Sequence, residues 1–283
     1  MSKSSKYILA SGCSYTDLEY RSPHYDIDPW PMWPELVGDI IDLPVKNIAK
    51  CGAGNDFILD QLIPIIAKDH MNIDCVMIQW SAIDRWSVYS NDMFLNNLKS
   101  DIVNENTQDP HMLVSKERAG YYERLEYSKY LMKRINAKGT ITLVQLFFQQ
   151  CLTIERLCRA LGIKCVHLQA CGHIGLSYVN TALKIMGEKF TSHEQHMEWM
   201  KQISSLPEYK ELYDEKTTMI NFPKTSFIPL VKVSDDPIYW SVQKLFNLNK
   251  DKYRIGPLDR HPSAKGQEVM AELFCLKYNE VYK

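Results

Sequence analysis

Apolar runs alternate with helical periodicity over the first 80 residues, and this alternation constrains the fold more than any other feature. Residues 7–10 and 45–49 have the pattern of strands, and residues 33–42 and about 55–68 have helical spacing. A third run at residues 75–80 is almost continuously apolar, as parallel strands buried on both faces require. Alternating strands and helices with short connections predict a parallel sheet covered by helices.

The middle of the chain combines one long helical pattern with two polar segments. Apolar residues recur at helical spacing over residues 143–161, which predicts an amphipathic helix ending at Gly162. Residues 163–168 predict a fourth strand. The segments at about 87–140 and 171–252 carry little apolar periodicity, and we interpret them as insertions into one domain.

The C-terminal segment predicts a final helix over residues 264 to about 278. Val269, Leu273 and Leu276 are spaced at three to four residues and are predicted to face the core. The sequence contains no internal repeat, no low-complexity tract and no clear linker. Residues 1–283 are therefore predicted to form a single domain with insertions.

Composition excludes several classes of protein. A chain of 283 residues with 45% hydrophobic residues can bury a sizeable core. Its net charge of -1 creates no field that favours nucleic acid or an anionic membrane, so neither is expected as a partner. The first apolar run is too short for a signal-peptide core, and no run is long enough to span a membrane. Eight cysteines without CxxC pairs indicate reduced thiols, and we expect a soluble, cytoplasmic protein.

A serine and a histidine lie at two ends of predicted elements. Ser14 follows the first strand in a Gly12-Cys13-Ser14 turn, and His261 precedes the final helix. A serine hydroxyl is a poor nucleophile and needs a base within hydrogen-bond reach, for which His261 is the candidate. At the carboxyl end of a parallel strand, Ser14 would face the crevice in which open α/β sheets bind ligands. Taken alone, each residue also fits a structural role at the start of a helix.

Four short motifs resemble the conserved blocks of the SGNH (GDSL-like) hydrolases, which are named after Ser, Gly, Asn and His. The motifs follow the family order along the whole chain, at residues 12–16, 47–52, 80–84 and 259–266. Gly52 follows Asn47 by five residues, as in the family pattern. The segments at residues 30–35 and 52–55 are most similar to phage-encoded members, which would allow association with a virion.

The resemblance implies an ester hydrolase that uses no metal and no organic cofactor. Ser14 would be the nucleophile, His261 the base, and Asp259 the acid that orients His261. The backbone N–H groups of Ser14 and Gly52 would stabilise the oxyanion. Further candidates for oxyanion or substrate binding are Asn55, Ser81, Trp80 and Arg85. Structural roles are also open for three of them: a helix N-cap for Asn55, core packing for Trp80 and a salt bridge for Arg85.

Three positions depart from the family pattern. Cys13 replaces the aspartate beside the nucleophile, which is expected to alter hydrogen bonds in the turn more than the chemistry. Leu258 stands three residues before the histidine, where the family has its acid, so Asp259 would have to reach the imidazole from two residues away. Ile83 replaces the asparagine of the third block and cannot donate to an oxyanion. The side chains that would have to supply this contact instead are those of Ser81, Asn55 and Gln79.

Other patterns have simpler explanations. His193 and His196 have the i, i+3 spacing of a metal-binding pair, but no third ligand is evident, and a solvated face of a helix near residues 193–203 explains them. Cys13 is better explained as a buried thiol than as a nucleophile. Four tryptophans would suit a carbohydrate pocket, although packing explains each of them alone: Trp30, Trp33, Trp80 and Trp86.

The sequence therefore predicts a three-layer α/β fold with a flavodoxin-like, parallel, five-stranded sheet. The predicted function is a serine ester hydrolase that removes O-acyl or O-acetyl groups from a carbohydrate or another small-molecule ester. The alternative is a non-catalytic binding or structural module on the same scaffold, such as a phage virion or host-interaction component, which Ile83 and the polar insertions suggest. A hydrogen bond between Ser14 and His261 beside an open cleft would favour the enzyme.

Overall fold

Four parallel strands form the centre of the computed structural model. The structure describes residues 6–81, 86–90, 93–98, 140–169, 202, 205–212, 246 and 249–282. The strands in this part of the chain are β1 (Tyr7–Ser11), β2 (Val45–Asn47), β3 (Ile73–Trp80), β4 (Trp86–Ser90), β5 (Met93–Leu98) and β6 (Lys164–Gln169). The central sheet has the order β2-β1-β3-β6 with parallel pairing throughout, and β4 and β5 form a separate antiparallel pair.

The apolar character of β3 follows from its position in the sheet. The strand lies between β1 and β6, and Met77 is in register with Ala10 on one side and Val166 on the other. Val76, Met77 and Ile78 have no exposed surface. A strand that is paired along both edges and covered on both faces has to be apolar at successive positions, as the sequence predicted.

Four helices lie close to the positions that the sequence predicts, and two short ones, at Pro207–Leu212 and Lys250–Tyr253, were not predicted. They are α1 (Trp33–Ile41), α2 (Asn55–Asp69), α3 (Thr140–Ala160), α4 (Pro207–Leu212), α5 (Lys250–Tyr253) and α6 (Ala264–Tyr282), with a short 3₁₀ helix at His70–Asn72. Gly162 follows α3 with φ of 68°, a left-handed conformation that favours glycine after a helix. The Ile163 N–H then donates to the Cys158 carbonyl at 2.8 Å, which closes this end of the helix.

Helices pack as two layers around the sheet. α1 packs against α6, where the rings of Trp33 and Phe274 are stacked with centroids 3.9 Å apart. α2 packs against α3 and β3, and it buries one apolar face completely, at Ile58, Leu62 and Ile66. Helices α1 and α6 therefore form one layer, and α2 and α3 form the other. The fold is the predicted α/β arrangement of a parallel sheet flanked by helices.

One helix face and part of the insertions differ from the prediction. Leu276 was predicted to face the core, but its side chain is 63% exposed. The core face of α6 is rotated by about one residue, because Met270, Phe274 and Tyr278 are the buried positions. Val269 and Leu273 are only partly buried against the core. At 100° per residue, a one-residue error in phase moves side chains to the edge of a helix face.

The two predicted insertions contain regular structure in their described parts. The first includes the β4–β5 hairpin, where the polar sequence predicted no element. The second includes α4, whose Tyr209 packs against Phe148 of α3. The fifth strand of the prediction does not occur among the described residues of the central sheet. Most of residues 193–203, the predicted histidine-bearing helix, lie outside the described residues.

No helix in the described part of the chain is both long enough and apolar enough to cross a membrane.

Candidate active site

The turn that carries Ser14 begins directly after β1. The Cys13 carbonyl accepts from the N–H groups of Thr16 and Asp17 at 2.9 and 3.1 Å, which forms a single helical turn. Gly12 precedes it, and a Cβ at that position would lie 2.4 Å from the Thr16 hydroxyl oxygen. Only glycine fits such a close approach without a shift of the turn. Ser14 is thereby held at the carboxyl edge of the sheet with 5% of its surface exposed.

The side chain of Gln79 in β3 holds this turn through hydrogen bonds. Its side-chain oxygen accepts from the Cys13 thiol at 3.2 Å and from the Thr16 hydroxyl at 3.1 Å. The Thr16 hydroxyl in turn accepts from the Trp33 indole N–H at 2.9 Å. Cys13 therefore takes part in the hydrogen bonding of the turn, as expected for the position where the family has aspartate. The thiol faces Gln79 and is fully buried, which fits a structural role.

His261 reaches the turn from the loop between α5 and α6. Its Nε2 lies 2.8 Å from the Ser14 hydroxyl oxygen, and its Nδ1 lies 2.6 Å from Asp259 Oδ1. The same carboxylate oxygen accepts from the backbone N–H of His261 at 3.0 Å. The structure therefore brings together a hydroxyl, an imidazole and a carboxylate that are widely separated in sequence. The acid reaches the histidine from two residues away, despite the shortened spacing.

The carboxylate of Asp259 is buried yet well supplied with donors. Its side chain is 2% exposed. Burial alone would raise the pKa of Asp259, but hydrogen bonds from His261, Ser22 and Tyr20 outweigh burial and hold the pKa well below its usual range. Asp259 therefore stays ionised at neutral pH. A fixed negative charge beside Nδ1 favours a proton on that nitrogen, which leaves Nε2 free to accept from Ser14.

The loop after β2 packs against the serine turn. The Lys50 N–H donates to the Gly12 carbonyl at 3.2 Å, and the Cys51 N–H donates to Asp17 Oδ2 at 2.6 Å. Gly52, the next residue, has φ of 83° and is buried. Such a left-handed conformation favours glycine, as the second motif requires. Two hydrogen bonds therefore hold the Gly52 loop to residues on either side of Ser14.

Asn55 and Ser81 are bonded to each other. The Ser81 N–H donates to Asn55 Oδ1 at 2.8 Å, and Asn55 Nδ2 donates back to the Ser81 carbonyl at 3.3 Å. Helix α2 begins at Asn55 with Gly54 at its N-cap, so the predicted N-cap role of Asn55 is wrong. The amide instead ties the start of α2 to the end of β3, because a buried amide needs partners for both its donor and its acceptor.

Trp80 was predicted to bind substrate, and this prediction is wrong. Its side chain has no exposed surface and packs edge-on against Phe147, with ring centroids 5.9 Å apart. Side chains alternate along a strand, so Trp80 points away from the face that Gln79 presents to the serine turn. Trp33 is likewise buried in the core. Other predicted positions lie outside the described residues or side chains: Ile83, Arg85, Trp86, His193 and His196.

A cleft of about 390 Å³, including its open mouth, lies beside Ser14 and His261. Much of its wall comes from the irregular segment of residues 17–32 between β1 and α1, which we call the cleft segment. The lining is mostly apolar and comprises Leu18, Ile27, Pro29, Trp30, Met32, Ile255 and Pro262, with Tyr20, Arg21, Ser22, Asp28 and Gln267 as polar members. Among the three candidate tryptophans whose side chains the structure describes, Trp30 is the one in this lining.

A second histidine lies in the core between the sheet and α3. His167 Nε2 is 3.0 Å from Glu155 Oε2 and 3.1 Å from Cys165 Sγ, a grouping of metal-ligand types within the described residues. The Trp80 indole N–H, which can only donate, lies 3.0 Å from His167 Nδ1. Nδ1 therefore accepts, and the ring proton is on Nε2, where a metal would have to bind. Burial also raises the pKa of Cys165 well above its usual value, so hydrogen bonding explains this group better than a metal does.

Sequence reasoning missed Asp17 and Tyr20, which support the site, and it considered Gln79 only as an oxyanion donor. Tyr20 contacts both Asp259 and His261, Asp17 holds the loop of Gly52, and Gln79 holds the serine turn. Gln79 had a signal, because a lone polar residue in a strand buried on both faces needs hydrogen-bond partners. Asp17 and Tyr20 lie in an irregular segment, where no periodicity predicts which side chains turn inward.

Neither a protein-family model nor a curated protein matches the sequence. Among solved structures, similar ones include TesA (12% identity, TM-score 0.45, covering 98% of this chain and 99% of that chain). Another is a putative lipolytic protein of the G-D-S-L family from Desulfitobacterium hafniense (11%, 0.41, 96% and 99%). A third is a mutant of the acetyl-xylooligosaccharide esterase Axe2 from Geobacillus (14%, 0.41, 98% and 94%). All three TM-scores are below 0.5, so these similarities carry no argument about the function of this chain.

Proposed function

We propose that this protein is a serine ester hydrolase of the SGNH type. One observation supports the proposal above all. His261 Nε2 lies 2.8 Å from the Ser14 hydroxyl, while its Nδ1 lies 2.6 Å from a buried carboxylate, beside an open cleft. A base within hydrogen-bond reach of the nucleophile, itself oriented by a third group, is the arrangement that nucleophilic catalysis requires.

In the proposed reaction Ser14 Oγ attacks the ester carbonyl carbon while His261 Nε2 takes the hydroxyl proton. Asp259 stabilises the resulting imidazolium through Nδ1–H. The tetrahedral intermediate then collapses, its C–O bond to the alcohol breaks, and the departing oxygen takes the proton from Nε2. Water attacks the acyl-serine, again giving a proton to Nε2, and collapse of the second intermediate returns that proton to Ser14 and releases the carboxylic acid.

The oxyanion is proposed to bind the backbone N–H groups of Ser14 and Gly52. The hydrogen bonds from Lys50 and Cys51 that hold the Gly52 loop beside the serine turn support this role. One such donor is typically worth about 3–4 kcal/mol at the transition state. Asn55 and Ser81 bond to each other across the start of α2, so we assign them to support of this edge. If backbone N–H groups bind the oxyanion, the site does not require an asparagine side chain at position 83, where this chain has Ile83.

The proposed substrate is an O-acyl or O-acetyl ester of a carbohydrate or another small molecule. Ligand clefts are lined mainly by apolar groups with a few polar ones, and the lining of this cleft has that character. Leu18, Ile27 and Met32 offer apolar surface to an acyl group. Trp30 provides a ring on which a sugar face can pack, and Asp28 provides an acceptor for a hydroxyl.

Labelling with a fluorophosphonate tests the proposal. The wild-type protein should be labelled and should hydrolyse p-nitrophenyl acetate, and Ser14→Ala should lose both properties, with hydrolysis reduced by about 10⁵- to 10⁶-fold in kcat. His261→Ala is the matched variant and should also abolish labelling. Wild-type protein that resists the reagent would favour a non-catalytic binding module. A Ser14→Ala protein that still cleaves the ester would exclude Ser14 as the nucleophile.

A further inference from the structure

Tyr20 of the cleft segment contacts both members of the His261–Asp259 pair. Its hydroxyl lies 2.8 Å from Asp259 Oδ2 and 2.7 Å from His261 Nδ1. Its ring also packs against the imidazole, with centroids 4.1 Å apart and planes inclined by 32°. Both the hydroxyl and the ring therefore contact the groups on which the proposed reaction depends, and no motif of the sequence pointed to this residue.

The hydrogen-bond roles at Tyr20 follow from counting protons. Asp259 is ionised and can only accept, so the single hydroxyl proton of Tyr20 is donated to Oδ2. The Tyr20 oxygen then faces His261 Nδ1 as an acceptor. Burial and the hydrogen bond to Asp259 raise the pKa of Tyr20 well above its usual value, so the hydroxyl remains a donor to Asp259 at working pH. Nδ1 therefore faces two acceptors, Asp259 Oδ1 and the Tyr20 oxygen.

We propose that Tyr20 is a positioning residue that holds His261 in the tautomer with its proton on Nδ1. This inference rests on the proposed function. Two acceptors at Nδ1 stabilise a proton there, which leaves the lone pair of Nε2 directed at Ser14. The same acceptors stabilise the imidazolium that forms when Ser14 loses its proton. Tyr20 acts through His261 and Asp259 and takes no proton itself.

The short spacing between acid and base explains why such a residue is needed. Because Asp259 is two residues before His261, its Oδ1 accepts both the backbone N–H and Nδ1–H of His261. Two donors on one oxygen divide the strength of that acceptor. Oδ2 faces Tyr20, which fixes the rotation of the carboxylate and adds a second acceptor for Nδ1–H. The Tyr20 hydroxyl thus compensates for an Asp259 oxygen that also accepts from the backbone N–H of His261.

Tyr25 provides a matched control on the same cleft segment. Its hydroxyl accepts from the Leu258 N–H at 3.3 Å, and its ring packs against Gly256, where a Cβ would come within 2.6 Å of it. Tyr25 thus braces the loop that carries His261 without touching the imidazole or the carboxylate. A hydroxyl that acts only by bracing this loop would give the same result at either tyrosine.

The experiment compares Tyr20→Phe with Tyr25→Phe, each of which keeps its ring and loses one hydroxyl. Tyr20→Phe should lower kcat for p-nitrophenyl acetate by about 10- to 100-fold with KM changed less than about 2-fold, since hydrogen bonds to charged groups contribute on this scale. Tyr25→Phe should leave both constants within about 2-fold. A Tyr20→Phe protein with unchanged kcat, or equal losses in the two variants, would overturn the proposal.

The imidazole itself provides a readout that does not depend on turnover. ¹⁵N NMR of histidine-labelled protein reports which ring nitrogen of His261 carries the proton. We expect the Nδ1–H form in the wild type and a mixture of tautomers in folded Tyr20→Phe protein. Wild-type protein without esterase activity would refute the proposed function. The tautomer measurement would still test whether Tyr20 positions the proton of His261. An unaltered Nδ1–H population in Tyr20→Phe would refute the positioning role alone.

Discussion

Two histidine–carboxylate pairs lie in the described part of this molecule, and their geometries at the carboxylate are similar. His261 Nδ1 is 2.6 Å from Asp259, and His167 Nε2 is 3.0 Å from Glu155. The pairs differ in what faces the other ring nitrogen. His261 presents its second nitrogen to the Ser14 hydroxyl, whereas His167 presents its second nitrogen to the indole N–H of Trp80.

On the proposed function, this difference separates a catalytic site from a structural network. An indole N–H can only donate, so the second nitrogen of His167 is permanently engaged as an acceptor and cannot take a proton from a substrate. The His167 side chain is also fully buried, while that of His261 is 28% exposed beside the cleft. A histidine next to a carboxylate is therefore a candidate base only when its other nitrogen meets a group that can give up a proton.

The same chemical change in both carboxylates tests the comparison most strongly. Asp259→Asn should lower kcat by about 10³- to 10⁴-fold, because an amide can stabilise the wrong tautomer and cannot stabilise an imidazolium. Glu155→Gln should change kcat less than about 3-fold. Steady-state hydrolysis of an activated ester measures both. Comparable losses in the two variants would mean that the pairs do not differ in function as we infer.

For the stability of the fold, we expect the buried His167–Glu155 pair to matter although it does not affect kcat. His167→Phe keeps an aromatic ring but removes the hydrogen-bond partner of the buried Trp80 N–H and of Glu155 Oε2, while Glu155 keeps its longer contact to Arg159. The free energy of unfolding should therefore fall by about 2–5 kcal/mol. Urea denaturation measures this change. The kcat of the folded fraction should stay within about 2-fold of wild type.

Leu276→Ala serves as the control for that stability measurement. Its side chain is 63% exposed on α6, and a surface substitution should cost less than about 0.5 kcal/mol. If Leu276→Ala lowered the free energy of unfolding by more than about 2 kcal/mol, Leu276 would face the core, as the sequence predicted. A His167→Phe protein as stable as wild type would show that the buried network contributes nothing to the fold.

Acid should weaken the fold through Asp259. The pKa of this carboxyl is lower in the folded chain than in the unfolded chain, so its contribution to stability is fully present above the unfolded value of about 3.9. That contribution is lost as pH falls below 3.9 towards the folded pKa. Wild type should therefore lose more stability between pH 6 and pH 3 than Asp259→Asn, as measured by urea denaturation at each pH. Parallel pH curves would argue against a depressed pKa.

The smallest effect is expected at the thiol beside Ser14. Cys13→Ser keeps a donor for Gln79 and should change kcat less than about 3-fold, while fluorophosphonate labelling persists. Mass spectrometry of the labelled peptide should find the adduct on Ser14. An adduct that disappears with Cys13→Ser would identify the thiol as the reactive group.

The fold could be predicted from the sequence because its signals are local. Residues 75–80 are apolar at successive positions, and residues 143–161 follow the helical period, so β3 and α3 are found within a few residues of their predicted bounds. The polar composition near residues 87–98 predicted no regular structure, but β4 and β5 pair there as a hairpin. The phase of α6 was also wrong, because its partly buried apolar residues flank the core face and shift the apparent stripe.

The site was predicted less completely, since its contacts are not local. Motif order placed Ser14, Asp259 and His261, and the structure brings them within hydrogen-bond distance. Trp80 was placed wrongly, because the sequence does not state which face of β3 points to the serine turn. Tyr20 went unnoticed, because its partners lie about 240 residues away in the chain.

That separation has a consequence for how the site assembles. Ser14 and Tyr20 precede Asp259 and His261 by about 240 residues, so the base and the acid are synthesised well after the nucleophile. Until the loop before α6 packs against the serine turn, Ser14 has no base within hydrogen-bond reach. On the proposed function, hydrolysis would therefore begin only after these distant segments have folded together.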